Sequence, residues 1–287
     1  MKEAVIYFGP VYARLIITES EAPATPLLHR KVALHLLLKE LQRTPDEPNG
    51  SAALEKTLSE FLAIAEKYPT EPPRIIVSSD LANAEILVLL RLFLKRLNLP
   101  PIELPDFSAE FEILHHQLKD LPADFLAVWI SEAHLRFINV KQDQPEFTFN
   151  LPCGIVPLID TFLKNDPPDP AEIIALRDFL STEFDRMQWH HLPEQILTFS
   201  DSGAALVNLI SGSVRIDDTQ SACFTKSQLQ NLLPSLTHNY KSQIARLPGA
   251  DPDFRDYFLT TALLYEHLLD YLGRESLKVY SQSTLIW

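Results

Sequence analysis

Glycine is scarce in this sequence. Its 287 residues include 7 glycines against 22 prolines, whereas average usage of about 7% would supply roughly 20 glycines. Loops that cradle phosphate depend on glycine, because positive φ and close backbone approach are hard for other residues. Several such loops are therefore not expected here. Cysteine is scarcer still: Cys153 and Cys223 offer neither a zinc spacing nor a disulfide framework, which points to a reducing cytoplasm. No apolar run reaches the roughly 18 residues of a membrane span, and no signal-peptide pattern is read at the start, so no membrane partner is expected. A basic excess is also missing. The formal net charge of −13 argues against nucleic acid and other polyanions as partners.

What is present is an ordinary folding composition, 46% hydrophobic and 22% charged, in a chain long enough for one large domain or two average ones. Apolar spacing predicts strands over about 3–8 and 12–18, helices over 26–42 and 51–67 with a loop at TPDEPNG, and a strand at RIIVSS (74–79). A helix over 80–98 with Asp80 as N-cap, a short strand at IEL and a helix over 108–119 follow. From 123 the strands FLAVWI, HLRFINV and EFTFNL come in succession. Helices then run through LPCGIVPLIDTFLK and AEIIALRDFLSTEFDRM, separated by NDPPDP. QILTFS reads as a strand with a helix behind it, and from 225 the chain reads as mainly helical, with a strand near LKVY. A strand pair with a tight turn followed by helices thus occurs twice. This predicts two α/β domains, 1–119 and 120–287, each on a mixed sheet.

Two stretches carry a family resemblance: LPCGIVPLIDTFLKNDPPDPAEIIALRDFL (151–180) and LPGADPDFRDYFLTTALLYEHLLDYLG (247–273). The first has the Leu-Pro-x-Gly-x-Val-x-Leu segment running into a Phe-Leu-x-x-Asp-Pro-Pro break. The second is similar to a late Leu-Pro-Gly helix pair. Together they resemble the exopolyphosphatase/guanosine pentaphosphate phosphohydrolase (Ppx/GppA) family, bacterial proteins of the sugar kinase/Hsp70/actin superfamily. The resemblance runs along nearly the whole chain. It implies a two-domain actin-like ATPase fold with ribonuclease H-like lobes, and hydrolysis of phosphoanhydrides such as polyphosphate or guanosine pentaphosphate.

The family's chemical motifs are largely replaced. Its first turn, Asp-x-Gly-Ser-Asn-Ser-x-Arg-Leu, has Tyr7 at the Asp and Pro10, Val11 and Tyr12 at Ser-Asn-Ser, while Gly9, Arg14 and Leu15 remain. Its second, Asp-Ile-Gly-Gly-Gly-Ser, reads Trp129, Ile130, Ser131, Glu132, Ala133 and His134. Its third, Thr-Gly-Gly-Thr, reads Phe199, Ser200, Asp201 and Ser202. The water-activating glutamate corresponds to Glu110. Phosphoryl hydrolysis needs positioned donors and cations around the equatorial oxygens, with metal held by carboxylates, and Tyr7 and Trp129 replace two candidate carboxylates. Proline has no N–H to donate, and a carboxylate about 4 Å from a phosphate charge is repelled by about 4 kcal/mol at a surface-like dielectric.

These replacements define the expectation: an exopolyphosphatase-related pseudoenzyme with a binding, regulatory or scaffold role. Glu110 stands as its vestigial catalytic residue, and Gly9, Arg14, Ser131, His134, Ser200 and Ser202 as vestigial phosphate-binding positions. No metal site and no cofactor are expected, magnesium entering only with the alternative, a divergent hydrolase working through Glu110. The partner is unspecified, a homodimer being one option. Arg14 can serve a phosphate or pair with a carboxylate such as Glu110 or Glu132. Neighbouring residues on a helix point about 100° apart, so His115-His116 and His190-His191 read as surface or capping residues, not ligands of one ion. Cys153 reads as a buried thiol.

Overall fold

A computed structural model describes the chain except residues 1, 10–11, 20–26, 35–47, 69–70, 79, 82–83, 97, 107–108, 110–111, 113–120, 143, 152, 188–192, 214–220 and 282–287. The chain divides into two compact units, one from Met1–Lys119 and one from Asp120–Thr284.

The first unit is built on five strands: β1 (Lys2–Phe8), β2 (Tyr12–Glu19), β3 (Leu28–Ala33), β4 (Arg74–Val77) and β5 (Ile102–Glu103). Their order in the sheet is β3-β2-β1-β4-β5. The first three form an antiparallel meander, and β4 and β5 join in parallel. Alternation sends Ala4, Ile6 and Phe8 to one face. There they pack with Leu15 and Ile75 against Leu54, Leu58 and Phe61 of α1 (Pro48–Ala65) and against Leu90 and Leu94 of α2 (Ala84–Arg96). Each of the Ile, Leu and Phe side chains, fully buried, contributes about 1.5–3 kcal/mol. The opposite face holds Val5, Tyr7 and Ile76, also buried.

The second unit repeats this plan. Strands β6 (Phe125–Ile130), β7 (Leu135–Lys141) and β8 (Gln144–Leu151) form the meander. Strands β9 (Ile196–Phe199) and β11 (Ser276–Tyr280) add in parallel, and β10 (Ser221–Thr225) lies antiparallel at the edge. The order is β10-β11-β9-β6-β7-β8. Every residue of β6 is buried, as befits a central strand covered on both sides. The helices are α3 (Ile155–Phe162), α4 (Pro170–Asp185), α5 (Asp201–Ser211), α6 (Lys226–His238), α7 (Lys241–Ile244) and α8 (Phe258–Leu272).

Three expectations are corrected. Residues 28–33, read as part of a helix, form β3. Leu28 and Val32 pack on the core, and positions i and i+4 share a face in a strand as well as in a helix, so periodicity could not separate the two. Pairing with β2 along six residues decides it. The TPDEPNG loop yields its end to α1, which begins at Pro48, a residue suited to a first helical position. Asp80 is not adjacent to α2: it lies in a turn and donates its N–H to Ser78 Oγ at 3.2 Å. Strand β10 had no counterpart in the sequence reading.

Candidate functional site

In the first unit the turn between β1 and β2 closes with Gly9 N–H donating to the Tyr12 carbonyl at 2.9 Å. Tyr7 and Arg14 are register partners, and the guanidinium carbon lies 5.5 Å from the centre of the Tyr7 ring. Lys31 Nζ lies 4.9 Å from the centre of the Tyr12 ring. Both tyrosines therefore carry a cation on the ring face, an attraction of about 0.5–2 kcal/mol each. Tyr7, Tyr12 and Arg14 are all buried. Glu110, His115 and His116, like Pro10 and Val11, lie outside the described residues, as do His190 and His191.

The second unit brings the other two turns together, because Ser131 and Ser200 follow the adjacent parallel strands β6 and β9. The β6–β7 turn repeats the closure of the first: Ser131 N–H donates to the His134 carbonyl at 2.9 Å. Ser131 Oγ also accepts from His134 N–H at 3.0 Å and donates to the His134 carbonyl. The carbonyls of this turn point at α3. Gly154 N–H donates to Ala133, Ile155 N–H to Ser131 and Val156 N–H to Glu132, at 3.1, 3.1 and 2.9 Å. The first turn of a helix normally leaves such donors open to an anion or a capping side chain; here the turn itself takes them. Gly154 is required by the contact, since a Cβ there would fall 2.4 Å from Ala133 C and His134 N.

At the end of β9, Ser200 caps α5, its Oγ accepting from Gly203 N–H at 3.0 Å and lying 3.0 Å from Ser202 Oγ. Asp201 opens the helix and accepts a hydrogen bond from Ser281 Oγ at 2.7 Å. Its carboxylate thus complements the positive end of the helix dipole, worth about 0.3–1 kcal/mol. Gly203 is pressed by Tyr265: a Cβ would come 2.3 Å from the phenol oxygen, which donates to Thr198 Oγ1 at 3.2 Å. Burial pushes the Tyr265 phenol well above its usual range, against the hydrogen bonds to Thr198 and Ser200. Tyr257 is raised too, by burial and then by the charges of Glu132, Asp256 and Asp160. Neither phenol serves as a base at neutral pH.

Trp129 pairs in register with Arg136 and Phe199. It stacks on Phe199 with centroids 6.0 Å apart, and Phe199 stacks on Tyr280 at 5.3 Å, so an aromatic ladder crosses β6, β9 and β11. Burial, with a smaller push from the Glu183 charge, raises the Cys153 thiol to about 12, which keeps it protonated and unreactive. Among the described residues no three His, Cys, Asp or Glu side chains converge as metal ligands would, and no helix is long and apolar enough to cross a membrane.

Tyr257, Tyr265 and Ser281 were missed by sequence reasoning, and Gly154 entered it only as a position of the resembling segment. The pairing of Trp129 with Arg136 was missed as well, and for it one signal was available. Tyr7 precedes Arg14 by the spacing that separates Trp129 from Arg136, and in both units the aromatic and the buried arginine face each other across the meander's first pair.

Two sheets that share a five-strand order, each an antiparallel meander extended by two parallel strands and the second carrying β10 as a further antiparallel edge, place the chain in the two-domain actin-like class with ribonuclease H-like lobes. Solved structures narrow this. The chain is similar over 99% of its length to the Aquifex aeolicus PPX-GPPA enzyme (97% of that chain, TM-score 0.76, 16% identity). It is similar to an exopolyphosphatase from Cytophaga hutchinsonii over 99% of its length (96% of that chain, TM-score 0.77, 17% identity). An exopolyphosphatase-like protein matches over the same 99% (96% of that chain, TM-score 0.80, 14% identity). The fold is thus that of the Ppx/GppA structures from end to end. No protein-family model and no curated protein matches the chain.

Proposed function

We propose that this chain is an exopolyphosphatase-related protein that has given up phosphoanhydride hydrolysis for a binding, regulatory or scaffold role in the cytoplasm. The observation that carries this reading is how the second unit uses its helix ends. The opening N–H groups of α3 are bonded to the carbonyls of the 131–133 turn, and the start of α5 already holds a carboxylate, Asp201, anchored by Ser281. A phosphate oxygen arriving at the second or third turn meets occupied donors and a like charge, which repels it. Tyr7 and Trp129, buried against Arg14 and Phe199, supply no ligand for a divalent cation.

The test is phosphate release. Purified protein with magnesium is expected to release no more phosphate from long-chain polyphosphate or guanosine pentaphosphate than its Glu110→Ala variant. Turnover that is robust and lost in Glu110→Ala establishes the divergent hydrolase instead, with Glu110 as its base and magnesium as its cofactor.

A further inference from the structure

Each meander ends in an edge strand, and the two edges differ. Strand β3 lies at the edge of the five-stranded sheet and β8 at one edge of the six-stranded sheet. Every second residue of an edge strand turns its N–H and C=O away from the sheet, a row open to another chain. Strand β8 is blunted. It carries Pro145, which has no N–H, and Glu146, whose charge Lys141 offsets at 3.5 Å. Strand β3, LHRKVA, has neither a proline nor an acid. It has His29, Arg30 and Lys31 in succession, within a run from 22 to 39 free of Asp and Glu, in a chain of net charge −13. Arg30 and Lys31 are exposed, and so is Leu27 just before the strand, at 47%. Register sets His29 and Lys31 on the face of Ile16 and Arg14. Alternation sets Arg30 on the other face, with Leu28 and Val32, which pack on the core. Among the described residues no strand pairs with the outer side of β3.

We propose that the β3 edge takes an acidic, extended segment of a partner protein as a further strand of the sheet. Main-chain pairing gives such a strand its affinity, and its alternate side chains give the specificity. Carboxylates on one face of the added strand meet His29 and Lys31. On the other face, side chains of the added strand lie beside Leu28, Arg30 and Val32. A second copy that offered its own β3 would set cation against cation, and like charges directly opposite destabilise a strand pair. The edge thus selects against itself and for an acid. The inference does not rest on the reading of the three turns and stands whether or not the protein hydrolyses phosphoanhydrides.

Fluorescence anisotropy with the full chain tests it. The probe is a fluorescein-labelled peptide of alternating glutamate and valine, slightly longer than β3. It is expected to bind saturably and, in hydrogen exchange, to slow amides within 28–33. Arg30→Glu and Lys31→Glu are each expected to weaken binding by about tenfold or more, because each turns an attraction into a repulsion. Arg246→Glu, at an exposed arginine of the second unit, is expected to leave it unchanged. Two further peptides need no variant. One has lysine in place of glutamate; the other is N-methylated at every residue, which keeps the charge and removes the donors. Neither is expected to bind. Failure of the acidic peptide to bind overturns the proposal, as does equal binding by the lysine peptide. Equal binding by the N-methylated peptide overturns it too, because that marks a surface for polyanions in general. Binding that survives both charge reversals places the acidic segment elsewhere and is equally fatal.

Discussion

The two units run the same backbone plan to different ends. Both close the first hairpin with one N–H to a carbonyl three residues on, from Gly9 to Tyr12 and from Ser131 to His134. Both place an aromatic opposite a buried arginine. In the first unit Tyr7 belongs to a small cluster with Val5 and Ile76 and carries Arg14 on its ring. In the second, Trp129 is one rung of a three-strand ladder, and the turn above it is bonded to α3 at three points. The comparison teaches that one hairpin closure can be backed in two ways. The first unit backs it with cation-bearing rings. The second bonds the carbonyls of its turn to the N–H groups at the start of α3.

The largest effect expected is at the ladder. Trp129→Ala is predicted to cost about 3–5 kcal/mol, the range for a large buried aromatic, and Tyr7→Ala about 2–3 kcal/mol, because its ring sits in a small cluster with Val5 and Ile76. Urea unfolding measures both. A Tyr7 cost equal to or above that of Trp129 breaks the asymmetry between the units.

Next come the two glycines. Gly154→Ala drives a methyl group into backbone atoms 2.4 Å away and is predicted to cost about 3 kcal/mol. Gly9→Ala meets the edge of the Tyr7 ring at 2.9 Å and is predicted to cost about 1 kcal/mol. The same unfolding curves decide this. Similar costs at the two positions mean that the second turn is no more constrained than the first.

The smallest effect is acid sensitivity. Burial works against the charge on Glu172, but donation from the Asp169, Lys164 and Asn165 backbones and the Asn165 side chain holds its pKa below the ordinary value. In the first unit the Arg74 hydrogen bond lowers Glu103 in the same way. A carboxylate whose folded pKa is depressed contributes stability in full above its unfolded value, about 4.3, and loses it as pH falls through the folded value. Glu172→Gln and Glu103→Gln are therefore each expected to flatten the fall in Tm below about pH 5. The flattening is expected to be greater for Glu172, which collects four hydrogen bonds; an unchanged slope refutes its role.

The stretch that carried the family resemblance, 151–180, was legible because its residues do structural work. Gly154 lets α3 approach the turn. Asp166 ties the 164–169 segment to Lys241, and Glu172 holds Lys164, Asn165 and Asp169 around itself. The residues of the three turns were legible only against that resemblance. Their contacts depend on partners far along the chain, such as Ser281 for Asp201, 80 residues away, and Tyr265 for Thr198, 67 residues away, and no local pattern announces these. Strand β3 was misread for the opposite reason: its local pattern fits two periods, and only the neighbouring strand chooses between them.

The three bonds between the 131–133 turn and the start of α3 also set a dynamic unit. The carbonyls and amides involved lose their partners together, so the turn cannot loosen while the helix stays docked, and fraying of the helix start releases the turn. Among the described residues, the hairpin tip in the first unit has one closing backbone bond, from Gly9 N–H to the Tyr12 carbonyl. Amides 154–156 are therefore expected to exchange with solvent only as the second unit breaks open, and that of Gly9 with the faster breathing of a hairpin end.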